Sequence, residues 1–373
     1  MFFDKECIYL DESATSRFKP NCVIKRVEKE LKNSANAGRG GHKAAIRALE
    51  SIEECRDSVI RATFDCDVIL TKSCTEALNI AILGGDYRGE VLTTVYEHNS
   101  VLRPLERLKR KGIRVKYISA PDGIVTPEIL KTNLSSDTSL VCIQEMSNVT
   151  GKIQPIDALG NLLSNYGIPF LVDGAQSLGR TDCDYSGVSM LAGAGHKGLH
   201  GPQGTGFLCV RKGIRLTPLL CGGTGTFSAG LNQPADIPEG FEAGTQNAPG
   251  YAGLSEGIKW TLKNKRRINK KITLLSEKAL SALKAIDGVT LYSDEPNGVI
   301  SFNVGDLSSS EVADIFDKDY SIAVRSGIHC APLIHKSMGT LKRGAVRASF
   351  GYGNKSSDID VLVAAIKDIL NRK

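Results

Sequence analysis

The sequence lacks both a zinc-type cysteine pair and an apolar run long enough to cross a membrane. It contains ten cysteines, but no two of them have the C-x-x-C spacing that zinc sites commonly use. No apolar stretch reaches the ~20 residues of a transmembrane helix, and charged residues begin at Asp4, too early for a secretory signal peptide. We therefore expect no metal, no membrane segment, and a cytoplasmic protein whose cysteines are reduced and mostly buried.

The sequence also lacks a strong excess of one charge. Its 373 residues carry a net charge of +6, with 41% hydrophobic and 24% charged residues, which is typical of a globular protein. A basic cluster, KNKRRINKK at residues 263–271, has no interleaved aromatic residues. We interpret it as the exposed face of a helix and expect no nucleic-acid partner.

Between residues 23 and 212 the sequence alternates between two hydrophobic patterns. Segments with apolar residues at helical spacing alternate with short apolar runs such as IPFLVDGAQ (168–176), which predict helices and buried strands. Strands separated by helices indicate an α/β fold with a largely parallel sheet, whose ligands bind at the carboxyl ends of the strands. We expect the chemistry at that edge, where five polar residues follow predicted strands: Glu97, His98, Asn148, Asp173 and Gln176.

The pattern changes after a long helix predicted over residues 250–285. The following residues 298–327 have the pattern strand, turn, helix, strand. The length suggests about two domains, and we predict a large domain of residues 16–262 and a smaller α+β domain of residues 263–373. The N-terminal segment, residues 1–15, is expected to pack against the smaller domain.

Lys197 lies in a glycine-rich and nearly uncharged stretch, LAGAGHKGLHGPQGTGF. A phosphate-gripping lysine of the P-loop type is disfavoured because Gly198, and not serine or threonine, follows it. The remaining alternatives are an exposed loop lysine and a lysine that forms a covalent imine with a cofactor. Asp173 favours the second, since a buried acid needs a partner such as the protonated pyridine nitrogen of pyridoxal phosphate (PLP). A helix or turn cap is the alternative for Asp173.

The stretch TKSCTEALNIAI places Cys74 and Thr75 at the predicted start of a helix. Free backbone amides and the helix dipole favour an anion there, so these residues are candidates for binding a phosphate. A plain N-cap without a ligand is the alternative.

Three further polar residues are candidates for contacting the ring of such a cofactor. His98 is either a ring that stacks on the cofactor or a core histidine. Asn148 and Gln176 are amides that can bond to the phenolic oxygen of the ring. Asn99 or Ser100 is expected to cap the helix that follows His98.

The segment VRSGIHCAPLIHK contains Cys330 directly after His329 and near Arg325. Positive neighbours lower the pKa of a thiol and favour its nucleophilic thiolate, and a buried structural cysteine is the alternative. Downstream, Arg347 in GAVRASFGYGN has the fork that usually binds a substrate carboxylate, and a surface ion pair is the alternative.

Together these motifs resemble the cysteine desulfurases of the class V aminotransferase superfamily, which are fold-type-I PLP enzymes. The spacing between GHK and HCAP resembles the group with a short, ordered cysteine loop. The resemblance implies a large PLP-binding domain with a mainly parallel sheet of the seven-stranded type, flanked by helices, and a smaller C-terminal α+β domain. The matching motifs run nearly end to end, in the same order: YLDESAT, NAGRGGH, TKSCTEALN, EHNSVLRPL, SNVTGKIQPI, VDGAQSLG, GHKGLHGPQGTGFL, FEAGTQNAPG, VRSGIHCAPL and VRASFGYGN.

The resemblance also implies a role for each candidate residue. Lys197 would hold PLP covalently and shuttle the Cα proton of L-cysteine, and Cys330 would attack the substrate sulfur and become a persulfide while L-alanine leaves. Asp173 would pair with the pyridinium nitrogen, and His98, which would stack on the ring, is also counted with the catalytic residues. Gln176 would bond to the phenolic oxygen of the ring. The phosphate would be bound by Cys74, Thr75 and His196. The substrate carboxylate would be bound by Asn148 and Arg347.

Partners follow from the same resemblance. Thr245 would reach the phosphate of the neighbouring subunit, which implies a homodimer with a shared active site. A sulfur-acceptor protein would receive the persulfide sulfur for iron–sulfur cluster or other thio-cofactor biosynthesis. The alternatives are a selenocysteine lyase acting on L-selenocysteine or an aminotransferase using the same PLP site. A non-enzymatic scaffold is disfavoured by the retained Lys197 and Asp173.

The chain departs from the family pattern at three places. The pair Glu12-Ser13 occupies positions at which family members commonly have Asn or Ser followed by Ala. Ala194 occupies a position at which many members have serine, and Cys74 replaces the usual Gly-Ala or Thr. The last two remove hydroxyl groups from the phosphate site. Each neutral hydrogen bond is worth ~0.5–1.5 kcal/mol, so we expect weaker but retained PLP binding.

Overall fold

The computed structural model describes residues 7–37 and 40–372 of the chain. Three sequence predictions fall partly outside these residues. Residues 1–6 of the N-terminal segment lie outside them, as do Gly38 and Arg39 of the NAGRGGH motif and Lys373 of the smaller domain.

The described chain alternates between helices and strands over most of its length. Its elements are β1 (Ile8–Tyr9), α1 (Asn21–Lys32), α2 (Lys43–Ala62), β2 (Asp67–Thr71), α3 (Cys74–Gly84), β3 (Glu90–Thr94), α4 (Asn99–Lys109), β4 (Arg114–Ile118), α5 (Pro127–Asn133), β5 (Thr138–Gln144), α6 (Ile156–Tyr166), β6 (Phe170–Asp173), β7 (Met190–Ala194), β8 (Gly206–Val210), α7 (Ala248–Lys284), β9 (Val289–Leu291), β10 (Val299–Val304), α8 (Ser309–Tyr320), β11 (Ile322–Ala323), α9 (Pro332–Ser337), β12 (Val346–Ser349) and α10 (Ser356–Asn371).

A seven-stranded sheet with the order β2-β8-β7-β6-β5-β3-β4 forms the centre of the described chain. Strand β8 is antiparallel to both of its neighbours, and the other adjacent pairs are parallel. The expected α/β fold with a mainly parallel sheet is therefore confirmed.

Both faces of this sheet are covered, which explains why its inner strands are buried. Every residue of β7 and β8 is buried, as expected for strands with packed layers on both sides. Ile52 and Phe170 belong to the core on one face, and Leu78 and Leu105 belong to the core on the other. Side chains can therefore meet a ligand mainly where the strands end, at the carboxyl edge.

Another hydrophobic core surrounds a three-stranded antiparallel sheet of order β12-β10-β9. Phe302 of β10 and Phe316 of α8 are fully buried in this core. Strand β1 pairs in parallel with β11, and Leu10 joins the same core. Helix α7 runs without a break across residues 262 and 263, so the domain boundary placed there stays a prediction.

The basic cluster lies on α7, as predicted. Lys263, Arg266, Arg267 and Lys270 are exposed, whereas Ile268 is buried. Within residues 7–37 and 40–372, none of the helices is long and apolar enough to cross a membrane. In the same part of the chain, no group of three or more potential metal-ligating side chains is clustered.

The expectation that most cysteines are buried was wrong. Buried thiols are found at Cys55, Cys66, Cys74, Cys142 and Cys209, but the other cysteines have solvent access because they lie in loops or on an outer helix face. Cys221 is exposed, and four are half-buried: Cys7, Cys22, Cys183 and Cys330.

Candidate active site

A cavity of about 220 Å³ lies at the carboxyl edge of the large sheet. Most of the candidate residues line it, including side chains that are distant in sequence. Cys330 and Thr245 are not among the described residues that form its walls. The candidate residues in the walls are Cys74, Thr75, His98, Asn148, Asp173, Gln176, His196, Lys197 and Arg347.

Lys197 and Asp173 reach the cavity from two adjacent strands. Asp173 ends β6 and Lys197 follows β7, and these strands pair in parallel. Asp173 is buried, and its Oδ1 accepts a hydrogen bond from the Ala175 amide at 2.9 Å. Burial lowers the pKa of Lys197, and the charge on Asp173 opposes that shift. The amine therefore loses its proton more easily than an exposed lysine, as a nucleophilic lysine requires.

Glycines allow the backbone to approach closely beneath the cavity. A Cβ atom on Gly206 would lie 2.6 Å from the carbonyl carbon of Ser73 and 2.8 Å from the nitrogen of Cys74. A Cβ atom on Gly195 would overlap Thr205 Oγ1. Strand β8 therefore packs directly against the start of α3, with no space for a side chain between them.

Cys74 and Thr75 form the first turn of α3, as predicted. Ser73 is the N-cap, and its hydroxyl accepts a hydrogen bond from the Glu76 amide at 3.2 Å. The first amides of a helix have no intrahelical acceptor, so the amides of Cys74 and Thr75 suit an anion. The Cys74 thiol donates to Asp173 Oδ1 at 3.5 Å. Burial and the charge on Asp173 raise the pKa of Cys74, which keeps this thiol protonated.

His98 is the N-cap of α4, and the prediction of Asn99 or Ser100 was wrong. Its Nδ1 accepts a hydrogen bond from the Ser100 amide at 3.1 Å, a role that an unprotonated imidazole nitrogen can fill. Ser100 Oγ lies 2.8 Å from the same nitrogen and 2.9 Å from Thr75 Oγ1. Burial lowers the pKa of His98 to about 4, although the charge on Asp173 opposes it. The ring is therefore neutral near pH 7, with its proton on Nε2.

Six residues in the cavity wall carry a buried polar atom without a hydrogen-bond partner among the described residues. These atoms are Ser13 Oγ, Asn148 Oδ1, Gln176 Oε1, His196 Nδ1, His329 Nε2 and Arg347 Nε. The amide groups of Asn148 and Gln176 donate to the carbonyl oxygens of His329 and Ser13 at 2.8 and 3.0 Å, so only their oxygens stay open. Unpaired buried polar atoms are unfavourable in a finished fold. They fit a cavity that binds a polar ligand.

Arg347 is buried and ion-paired, so the alternative of a surface ion pair is wrong. Its Nη2 donates to Asp11 Oδ1 at 2.7 Å, and its Nη1 donates to the Asn148 carbonyl oxygen at 3.0 Å. Nε has no acceptor within the described part of the chain. Burial lowers the pKa of Arg347, and Asp11 opposes the shift. Its role in binding a substrate carboxylate stays a prediction, with Nε as the open donor.

Cys330 lies in the loop between β11 and α9, next to the cavity. His329 and Cys330 have φ angles of 50° and 55°, an uncommon left-handed conformation for residues other than glycine. The Cys330 carbonyl oxygen accepts a hydrogen bond from the Asn99 amide at 2.6 Å, and the His329 carbonyl oxygen accepts one from Asn148. These bonds hold the loop against α4 and the strand-end segment after β5. The nucleophilic role of Cys330 stays a prediction.

Thr245 is exposed and lies just before α7. A side chain in this position is accessible to a second molecule and is not part of the cavity wall among the described residues. Its contact with a neighbouring subunit stays a prediction.

Residues 8–362 of the chain match the family model described as Aminotransferase class-V. The chain belongs to the aminotransferase class-V family. Curated relatives from Methanothermobacter thermautotrophicus and Pyrococcus abyssi, each named a probable cysteine desulfurase, are 33% and 34% identical to it. Each alignment covers 98% of this chain and 95% of the relative. The apo structure of the cysteine desulfurase from Thermococcus onnurineus NA1 is 32% identical, covers 99% of this chain and 96% of that chain, and superposes with a TM-score of 0.90.

The class-V aminotransferase cavity also contains residues that the sequence did not assign to it. Arg325 and His329 line the wall, although their sequence pattern suggested only an influence on Cys330. Ser13 lines it from the N-terminal segment, and Ser100 links His98 to the start of α3. The quoted family motifs contain all four residues, so position within a motif was the available signal.

Glu12, one of the departures from the family pattern, is buried behind the cavity. Burial raises the pKa of Glu12 to about 7, and the charge on Arg180 opposes the shift. Both carboxylate oxygens accept the Arg17 amide, at 3.4 and 3.3 Å. The side chain packs against Gly351, where a Cβ atom would lie 2.5 Å from Glu12 Oε2. The larger acid at this position is therefore accommodated by a glycine.

Proposed function

We propose that this chain is a PLP-dependent cysteine desulfurase. L-Cysteine and the Cys330 thiol would yield L-alanine and a persulfide on Cys330. The observation that carries the proposal is the presence of Lys197 and Asp173 in one cavity whose walls also hold unpaired polar atoms. The names of the curated relatives support this choice of reaction within the family.

The residues around the cavity fit PLP. The amides of Cys74 and Thr75 suit its phosphate, and the Asp173 carboxylate suits the protonated ring nitrogen. The open atoms of Gln176 and His196 offer further hydrogen-bonding positions. When bound, PLP supplies an electron sink for the negative charge that develops at the substrate Cα.

Lys197 would transfer protons, and Arg347 would position the substrate. With its lowered pKa, Lys197 Nζ can take the proton from the substrate Cα and return it. Asp11 holds the Arg347 guanidinium in place, which leaves Nε and the nearby Asn148 for the substrate carboxylate. His98, which is neutral, would pack against the PLP ring, and its Nε2–H would be available as a hydrogen-bond donor.

Cys330 would perform the sulfur transfer. Its sulfur attacks the substrate sulfur, so an S–S bond forms while the substrate Cβ–S bond breaks. The bonding electrons of the broken bond stay on Cβ, which takes up a proton and becomes the methyl group of alanine. The net change moves one hydrogen from the Cys330 thiol to alanine, and no external oxidant is needed.

The reaction also suggests partners and a compartment. We propose a homodimer with a shared site because Thr245 is exposed in the single chain, where it is available to a neighbouring subunit. An acceptor protein would receive the outer sulfur of the Cys330 persulfide. A reactive free thiol suits the reducing cytoplasm.

The test compares Cys330→Ala with Cys183→Ala, a matched variant at another half-buried cysteine outside the cavity. Purified proteins are incubated with L-cysteine, and alanine and persulfide are quantified. Cys330→Ala should lose both products and keep the visible absorbance of bound PLP, whereas Cys183→Ala should keep both activity and absorbance.

Three outcomes would contradict the proposal. Full activity of Cys330→Ala on L-cysteine would refute the role of Cys330. Thiol-independent transfer of the amino group to a keto acid would indicate an aminotransferase, and turnover of L-selenocysteine alone would indicate a selenocysteine lyase.

A further inference from the structure

Three buried side chains next to the cavity form a hydrogen-bonded chain that the proposed reaction does not use. His329 Nδ1 lies 3.2 Å from His335 Nε2, and His335 Nδ1 lies 2.7 Å from Thr340 Oγ1. The exposed fractions of His329, His335 and Thr340 are 4%, 0% and 4%. His329 lines the cavity, and its Nε2 has no hydrogen-bond partner in the described part of the chain. This row of hydrogen-bonded side chains therefore begins at the unpaired Nε2 of His329 and ends at the hydroxyl of Thr340.

Both imidazole rings are neutral. Burial lowers the pKa of His329 to about 3, and the charges of Arg347 and Arg325 act in the same direction, although a backbone contact with Arg325 opposes them. Burial lowers the pKa of His335 to about 4. Each ring then carries one proton, and the position of one proton determines the position of the other.

Two arrangements of the protons satisfy the hydrogen bonds among His329, His335 and Thr340. If the Thr340 hydroxyl donates to His335 Nδ1, then His335 donates from Nε2 to His329 Nδ1, and His329 carries its proton on Nε2. If the direction is reversed, His329 Nε2 becomes a bare acceptor. The 2.7 Å contact between Thr340 Oγ1 and His335 Nδ1 fits both directions, because in the reversed one the hydroxyl donates to the His335 carbonyl oxygen at 3.4 Å. Arg325 and Arg347 attract an anion to the same cavity, and only the first arrangement offers that anion a hydrogen-bond donor at His329 Nε2.

We infer that His335 and Thr340 are positioning residues that fix His329 as a hydrogen-bond donor, with Nε2–H offered to the cavity. A donor at this place matches an anionic group of the substrate, either a carboxylate oxygen or a thiolate sulfur. Arg325 and Arg347 line the same cavity and favour the same charge. The identity of the substrate rests on the proposed function, but the tautomer of His329 does not.

The tautomers can be read directly by nitrogen NMR of the PLP-loaded protein with ¹⁵N-labelled histidine. The chain has six histidines, and His329→Gln and His335→Gln assign the two resonances of interest. We expect the Nε2–H form for both rings in the wild type. Thr340→Val removes the hydroxyl at nearly constant volume and should shift both rings toward the Nδ1–H form.

The same variants are assayed with L-cysteine. Thr340→Val should lower kcat/KM about twofold to tenfold, the effect of one hydrogen bond, and Thr340→Ser should restore both the tautomers and the rate. Thr93→Val is the matched control, because Thr93 is buried in β3 outside the cavity walls. This control should change neither quantity.

The outcomes separate the inference from the proposed function. An Nδ1–H form of His329 in the wild type, or unchanged tautomers in Thr340→Val, would overturn the inference. Weaker binding of L-alanine to Thr340→Val would assign the donor to the carboxylate, and unchanged L-alanine binding with slower sulfur transfer would assign it to the sulfur. If the wild type lacks desulfurase activity, the proposed function fails, and the nitrogen shifts still decide the tautomer.

Discussion

The substitution Gly206→Ala tests whether the close contact between β8 and α3 forms the phosphate site. The new Cβ atom would meet backbone atoms of Ser73, Cys74 and Gly193 at 2.6, 2.8 and 2.9 Å. None of these atoms belongs to a flexible side chain, so the start of α3 has to move. The amides of Cys74 and Thr75 would move with it, away from the position in which we expect them to face the phosphate.

Both stability and cofactor affinity should change. Overpacking of this kind costs ~1–3 kcal/mol. With an unfolding entropy of ~2.1 cal/mol/K per residue, that loss lowers Tm by about 1–4 °C for a chain of 373 residues. Displacing one hydrogen bond to a charged phosphate costs a further ~1.5–3 kcal/mol, which corresponds to roughly a tenfold to hundredfold weaker Kd for PLP.

The assay titrates apo protein with PLP by visible absorbance and measures Tm by calorimetry with and without PLP. Gly222→Ala is the matched control, because its Cβ atom would have only an ordinary contact at 3.4 Å with Ala243. A PLP affinity of Gly206→Ala equal to that of the wild type, together with a lowered Tm, would refute the assignment of the phosphate to the start of α3.

Two further predictions concern stability. Glu12 has a pKa raised from 4.5 in the unfolded chain to about 7 in the fold, so its contribution is full below pH 4.5 and is lost as the pH rises to about 7. Glu12→Gln should therefore match the wild-type Tm at low pH and exceed it above about pH 7, and identical Tm profiles would contradict this. Glu242 accepts both Arg56 Nη1 and Nη2, at 2.6 and 2.7 Å, and also the Leu70 amide. Glu242→Gln should lower the free energy of unfolding in urea by ~3–5 kcal/mol. Glu53 also pairs with Arg56 but is exposed, so Glu53→Gln should lower the free energy of unfolding by only ~0–1 kcal/mol.

Sequence pattern predicted the mainly parallel sheet and the place of the cavity at its carboxyl edge, because both depend on local regularities. The apolar run before Asp173 is a buried strand, as expected, whereas the strand at residues 190–194 was not predicted. Parallel strands bring their carboxyl ends to one edge. Lys197 and Asp173 therefore meet in space although 24 positions separate them, the difference between 197 and 173.

Side-chain partners were less predictable. The helix after His98 was expected to be capped by Asn99 or Ser100, but the imidazole itself is the cap because its Nδ1 is oriented to accept the Ser100 amide. Arg347 pairs with Asp11, which lies 336 residues away in sequence. Such a contact depends on how β12 and the N-terminal segment pack, and no local pattern encodes it.

The sequence by itself determined the alternation of strands and helices, the place of the chemistry at strand ends, and the residue types that a PLP site needs. Periodicity and residue type carry this information because they act within a few neighbouring positions. Only the tertiary structure decided which polar atoms remain open, which charges are neutralised, and that His329, His335 and Thr340 form one chain. These properties depend on distances of about 3 Å between segments that are remote in sequence, and such distances are set by packing.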